Sequence, residues 1–276
     1  MPVLLSFMDS SNDMSDFNLF DPLIDVFNKA GYQTFWISNH EKITKDLSYA
    51  TFSSVRCNYS FFTSKSVGSV EYFSSLCLPD EVILPVFKEC LEKYAPARDK
   101  NFFIFQIMGS HIRYKDRYPA SFNLFKASDI KGYSEDKKSL VAEYLNTILY
   151  TDFVLAQIIE PLKDEQAMLV YVSDHGEEMW QGGFHGHGPS NVSKYMVEIP
   201  MFIWVSDKFK QKYHDIFRNI KTSLNRPYMT DSLVHTVLDL VQIKTKQYKA
   251  DKSIINDKFI PAKRYIDGTE YNDLRK

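Results

Sequence analysis

The sequence predicts an α/β fold with a mostly parallel central sheet and helices on both faces. Three observations carry that expectation. Residues 101–108 and 167–172 are nearly unbroken apolar runs rich in β-branched and aromatic side chains, the pattern of strands buried on both faces. Segments with helical apolar spacing alternate with such runs, as the crossover connections of a parallel sheet require. Each of the two runs also ends abruptly in a polar turn, Gly109-Ser110-His111 after the first and Ser173-Asp174-His175-Gly176 after the second. In open α/β sheets, ligands bind outside the carboxyl ends of the strands, so both turns stand at site positions.

The elements follow in order. Residues 19–30 carry apolar stations at Leu19, Leu23, Ile24, Val26 and Phe27, with Gly31 as the stop, and residues 32–37 read as a strand. Residues 82–94 return to helical spacing and lead into the strand at 101–108. A long helix over residues 140–162 has stations at Leu145, Ile148, Leu149, Val154, Leu155 and Ile158, and turns into the strand at 167–172. Residues 199–205 supply a further strand and residues 231–241 a further helix. With 276 residues and no internal repeat, low-complexity stretch or linker, the chain reads as a single domain, 1–276.

Composition narrows the function. Hydrophobic content of 44% and charged content of 25% are those of an ordinary globular protein. A formal charge of −2 without a basic run gives no electrostatic reason to expect nucleic acid. No stretch of about 18 apolar residues predicts a transmembrane helix, and the N-terminus lacks a signal-peptide pattern. Cys57, Cys77 and Cys90 lack metal-ligand spacing, leaving one disulfide plus a thiol, or three thiols, equally readable.

The stretch 169–188 concentrates the chemistry. Asp174 offers a hard oxygen and His175 an imidazole nitrogen, a pairing suited to zinc or a similar divalent ion. An isolated Asp-His pair after a strand is more often a hydrogen-bonded loop than a metal site. Here three of the seven histidines, His175, His185 and His187, fall within thirteen positions, interleaved with glycines and carboxylates. The run from Gly182 to Gly188 is too glycine-rich for a helix and is expected to loop back, returning His185, His187 or both to the same pocket. His111, at the end of the other apolar strand, is expected on the same sheet edge, against the alternative of a solvated loop histidine.

Several stretches together resemble the catalytic domain of bacterial phosphoethanolamine transferases, a branch of the alkaline phosphatase and sulfatase superfamily. They are the ten residues from Ala30 to Asn39, Met108-Gly109-Ser110-His111, Arg117-Tyr118-Pro119, the nine residues from Tyr144 to Asp152, Val172-Ser173-Asp174-His175-Gly176-Glu177, His187-Gly188 and Glu198-Ile199-Pro200. The resemblance implies a sulfatase-like α/β/α sandwich in which Asp174 and His175 bind zinc. It places His111 and His187 beside the phosphoryl group as catalytic and substrate-binding residues, with His185 as an alternative occupant. It implies double displacement, in which a zinc-activated threonine takes phosphoethanolamine from phosphatidylethanolamine and passes it to lipid A, a core-oligosaccharide sugar or a glucan.

Such enzymes sit in the bacterial inner membrane with the catalytic domain facing the periplasm. By this resemblance the threonine, a first glutamate ligand and the membrane helices fall before Met1, so the chain is expected to lack them and to hold zinc weakly. Ser6, Ser10 and Ser11 are substitute nucleophiles to consider. A related metal-dependent phosphatase or phosphodiesterase, or a catalytically silent remnant, are the alternatives. The Cys/Ser-x-Pro-x-Arg motif of sulfatases is missing, which argues against sulfate ester hydrolysis. Residues 51–72 and 114–133 are the expected acceptor-facing loops.

Overall fold

A computed structural model describes residues 2–42, 49–63, 78–188, 192–266 and 269–271 of the chain. It divides into two compact units, one made of Met1–Leu23 with Leu162–Lys276, the other of Ile24–Pro161. The chain opens in the first unit with a short helix, α1 (Pro2–Leu5), and then runs through the whole of the second.

The second unit is built on one buried strand. α2 (Leu23–Lys29) ends at Gly31, whose φ of 82° lets the Tyr32 N–H reach the Phe27 carbonyl at 3.0 Å and turns the chain into β1 (Gln33–Ser38). All six residues of β1 are buried, because β2 (Tyr59–Phe62) and β3 (Asn101–Gln106) flank it, both parallel to it. Phe35 lies opposite Phe103, ring centroids 4.3 Å apart and stacked. Helices cover both faces of this sheet. Phe27 of α2 stacks on Phe102 at 3.7 Å. Alternate residues of β3 point the other way, and there Phe87 of α4 (Ile83–Glu89) meets Phe103 and Phe105 edge-on at 5.2 and 4.9 Å. α3 (Tyr49–Ser54) precedes β2, and the 25-residue α5 (Glu135–Ile159) closes the unit.

Two boundaries differ from the sequence reading. Residues 19–30 are not one helix: a 3₁₀ turn, Met14–Leu19, is separated from α2 by Asp21-Pro22, since a residue before proline is driven out of the helical region. α5 begins ahead of its apolar stations. Glu135 and Asp136 complement the positive end of its dipole, and the Ser134 side chain, bonding to Asp136, holds that carboxyl below its usual range.

The first unit then resumes with β4 (Met168–Val172), β5 (Glu178–Met179), β6 (His185–Gly186), α6 (Lys194–Val197), β7 (Met201–Val205), α7 (Asp207–Lys212), α8 (His214–Thr222) and α9 (Leu233–Leu240). β4 and β7 pair antiparallel, with Met168 opposite Val205. This departs from the mostly parallel pattern expected from the sequence. Val205, Phe209, Ile216, Ile220, Leu240 and Ile255 bury together as the core of this unit.

Among the described residues no helix is long and apolar enough to cross a membrane. Cys57 and Cys90 are free thiols, and Cys77 lies outside the described residues, as does the part of the 51–72 segment beyond residue 63.

Candidate metal centre

The turn after β4 is clamped against the chain leading to β7. Ser173 N–H donates to the Pro200 carbonyl at 3.3 Å, and Gly176 N–H to the Met196 carbonyl at 2.7 Å. Glycine is required at 176 because a Cβ there would overlap the Tyr195 carbonyl oxygen. That close approach bends the chain so that Glu177, two residues beyond His175, returns toward it. The Glu177 side chain is 7% exposed, whereas those of Asp174 and His175 are 59% and 41% exposed.

A tight hairpin then brings the later histidines back. Trp180 N–H donates to the Phe184 carbonyl at 2.8 Å, and positive φ angles at Trp180 (66°) and Gly183 (93°) close the loop between β5 and β6. A non-glycine residue in that region costs about 1 kcal/mol. The fully buried Glu178 carboxylate offsets this by accepting the Gly182 N–H and the Ser193 hydroxyl, each at 2.5 Å.

His175, Glu177 and His187 converge, their potential ligand atoms all within 4.8 Å of one another. The two imidazoles lie 3.9 Å apart, centroid to centroid, at 35°. Hydrogen bonding fixes their tautomers. His175 Nδ1 is 2.9 Å from the Gly176 carbonyl and His187 Nδ1 is 3.0 Å from Glu177 Oε1. Both partners only accept, so Nδ1 carries the proton in each ring and Nε2 keeps its lone pair. Asp174 Oδ1 lies 3.9 Å from His175 Nε2. Two imidazole nitrogens beside two carboxylates are a donor set that fits zinc, with ring N–H groups anchored as metal-ligating histidines require.

Of the residues singled out from sequence, Asp174, His175 and His187 are neighbours here, while the His185 ring stacks on Trp180 at 4.8 Å. Glu177 was missed. Its signal was the glycine between it and His175, which permits the bend that returns it. Ser6 is fully buried, its hydroxyl donating to the Pro2 carbonyl at 2.8 Å, so it is unsuited as a nucleophile. Ser10 donates to Asp231 at 2.9 Å and Ser11 to Asp9 at 2.5 Å.

His111 belongs to the other unit, on the turn after β3. Buried Asp80 builds that turn: its carboxylate accepts the Met108 N–H at 2.9 Å, the Gly109 N–H at 2.8 Å and the Asn39 side-chain amide at 2.8 Å. Ser110 and Thr147 join hydroxyls at 2.6 Å, and Arg117 Nε donates to the His111 carbonyl at 3.3 Å.

The Sulfatase family model matches residues 3–243. The phosphoethanolamine transferase EptC of Escherichia coli O18:K1:H7 is 30% identical over 273 residues, covering 95% of this chain and 45% of EptC. CptA of Salmonella typhimurium, also a phosphoethanolamine transferase, is 31% identical with the same coverage. The chain thus spans less than half the length of these curated relatives. The crystal structure of the C-terminal periplasmic domain of E. coli EptC in complex with Zn superposes with a TM-score of 0.82 at 28% identity, covering 98% of this chain and 74% of that one.

Proposed function

Because the chain belongs to the Sulfatase family, we propose that it acts as a phosphoethanolamine transferase, moving phosphoethanolamine from phosphatidylethanolamine to a lipid A, core-oligosaccharide or glucan acceptor. The observation that carries this reading is the convergence of His175, Glu177 and His187 beside Asp174, in a chain similar along nearly its whole length to EptC and CptA. Zinc is the proposed ion, in preference to magnesium, because imidazole donors suit it. Asp174 and His175 are the proposed ligands, with Glu177 and His187 close enough to complete or orient the shell. Bound there, zinc supplies Lewis acidity toward phosphoryl and alcohol oxygens.

The chain's own residues have the remaining roles. Glu177 holds the His187 ring by its Nδ1–H, leaving the Nε2 lone pair to take a proton from an attacking alcohol; the imidazolium so formed can donate to a phosphoryl oxygen or pass that proton to a departing alcohol. His111 is proposed as a second phosphoryl-binding imidazole, on a turn that Asp80 keeps rigid, and His185 as an alternate contact. The proposed setting is the periplasmic face of a bacterial inner membrane, as in the matched periplasmic domain.

The test is mass spectrometry of lipopolysaccharide and donor lipid after incubation, with phosphatidylethanolamine and zinc, of the chain extended by an upstream segment that supplies a threonine and a glutamate ligand. Phosphoethanolamine gained by the acceptor, and lost in His187→Ala, is the expected result. Donor consumed with phosphoethanolamine released only to water would replace transfer by hydrolysis. Donor left intact in the presence of bound zinc would sink both.

A further inference from the structure

We propose that the segment 119–127 is a membrane-docking edge that seats a phospholipid headgroup against its apolar tip. Leu124 and Phe125, adjacent in sequence, are 63% and 39% exposed. Such exposure in a loose loop would mean little. Here the backbone bearing them is fixed from below by Asn146 of α5, which is fully buried. Its Oδ1 accepts the N–H groups of both Leu124 (3.0 Å) and Phe125 (2.8 Å), and its amide donates to the Phe125 carbonyl (3.0 Å) and to Asn123 Oδ1 (3.2 Å). Four hydrogen bonds from one buried side chain hold two large apolar residues out toward solvent. Rigid display of that kind costs conformational freedom and leaves apolar surface wet, so it calls for a partner.

The chemistry beside the tip says which partner. Phe125 also lines a cleft of about 450 Å³ together with Lys115, Tyr118, Asn123, Lys126 and Glu143. The Lys126 ammonium is held at this rim by the Asn123 carbonyl at 2.6 Å. Residues 113–138 carry seven Lys or Arg against four Asp or Glu, in a chain whose formal charge is −2. A cationic rim around a hydroxyl- and amide-lined cleft complements a phosphate, and two apolar side chains next to it complement the acyl region of the same molecule. That combination matches the interfacial zone of a bilayer, where apolar groups enter the acyl boundary while lysines reach the headgroups. The choice of a phospholipid as occupant rests on the transferase reading, whose donor is a membrane phospholipid. Docking itself needs neither metal nor turnover.

Flotation with vesicles of phosphatidylethanolamine and phosphatidylglycerol, against phosphatidylcholine vesicles, tests it without any catalytic readout. The parent chain should float with the former, more weakly as salt rises. The double variant Leu124→Ser/Phe125→Ser and the double variant Lys115→Glu/Lys126→Glu should each lower the bound fraction at least tenfold. Retained circular dichroism and melting temperature would show that both are folded. Phe125→Trp should give an additional blue-shifted emission, taken as the difference from the parent, when vesicles are added. Parent chain that stays with the lipid-free fraction, or variants that float as well as the parent, would overturn the docking edge. Displacement by inorganic phosphate alone, with no effect of the apolar variant, would reassign the cleft to a free anion and also overturn it. Loss of transfer with intact flotation would count against the transferase reading only.

Discussion

His187 donates its Nδ1 proton to Glu177, 3.0 Å from Oε1 and 3.2 Å from Oε2, while its ring lies against that of His175 at 3.9 Å. The carboxylate sets both the tautomer and the orientation of the imidazole, and such partners typically govern metal affinity by about 10- to 100-fold. Glu177→Gln is therefore expected to weaken zinc binding by roughly that factor, and His175→Ala by more. Competition with a chromophoric chelator measures both. Glu177→Gln binding zinc as tightly as the parent would remove Glu177 from the centre.

Gly176→Ala tests the clamp beneath the site. The added methyl meets the Tyr195 carbonyl, which belongs to backbone and has little room to move. A loss of about 2 kcal/mol in unfolding free energy is expected, as for overpacked sites, with weakened zinc binding alongside it. Urea denaturation reports the first and the chelator assay the second. An unchanged midpoint would show that the turn relaxes freely.

Asp80→Asn should destabilise the turn that carries His111. The carboxylate accepts three donors from a site that is 3% exposed, and an amide replaces one acceptor oxygen with a group that faces an N–H. Leaving a buried donor unpaired costs about 1–3 kcal/mol, which equilibrium unfolding will resolve. Equal stability of the variant would show that the carboxylate does not hold the turn, since both of its oxygens face N–H donors and neither flip of an amide suits them.

His235 of α9 makes stability pH-dependent. It is 4% exposed, its Nδ1 accepts the Lys249 N–H at 3.2 Å, and burial, aided by Lys252 and Lys249, pushes its pKa down to about 4. Between about pH 6.5 and 4 the unfolded chain takes up a proton that the folded chain refuses, so this group's contribution is lost as the pH falls. The expected loss from pH 7 to 5 is roughly 2 kcal/mol. His235→Gln, which keeps an acceptor but does not titrate, should flatten that part of the stability profile. A parent profile already flat over this range would contradict it.

Burial also pushes the Cys57 thiol up to about 12 and Cys90 to about 11, so little thiolate forms at neutral pH. Peptide mapping after iodoacetamide treatment at pH 8 should find both unmodified in the folded chain and modified after denaturation. Fast native alkylation of either would show that its surroundings open.

Much of this architecture was already present in local pattern. Continuous apolar runs marked β3 and β4 because strands packed on both faces are predominantly apolar, and Gly31 marked the end of α2 because its positive φ is cheap only for glycine. The polar turns at Gly109-Ser110-His111 and Ser173-Asp174-His175-Gly176 were legible for the same reason: the chemistry starts where the apolar run stops. Tertiary structure decided what spacing cannot encode. Whether His185 or His187 reaches His175 depends on the hairpin closed at Trp180 and Gly183, and on the buried Glu178 that braces it. Glu177 became a partner only because Gly176 packs against the Tyr195 carbonyl, a contact between segments distant in sequence. The antiparallel pairing of β4 with β7 was likewise decided in three dimensions, because an apolar run marks a buried strand but does not fix the direction in which its neighbour runs.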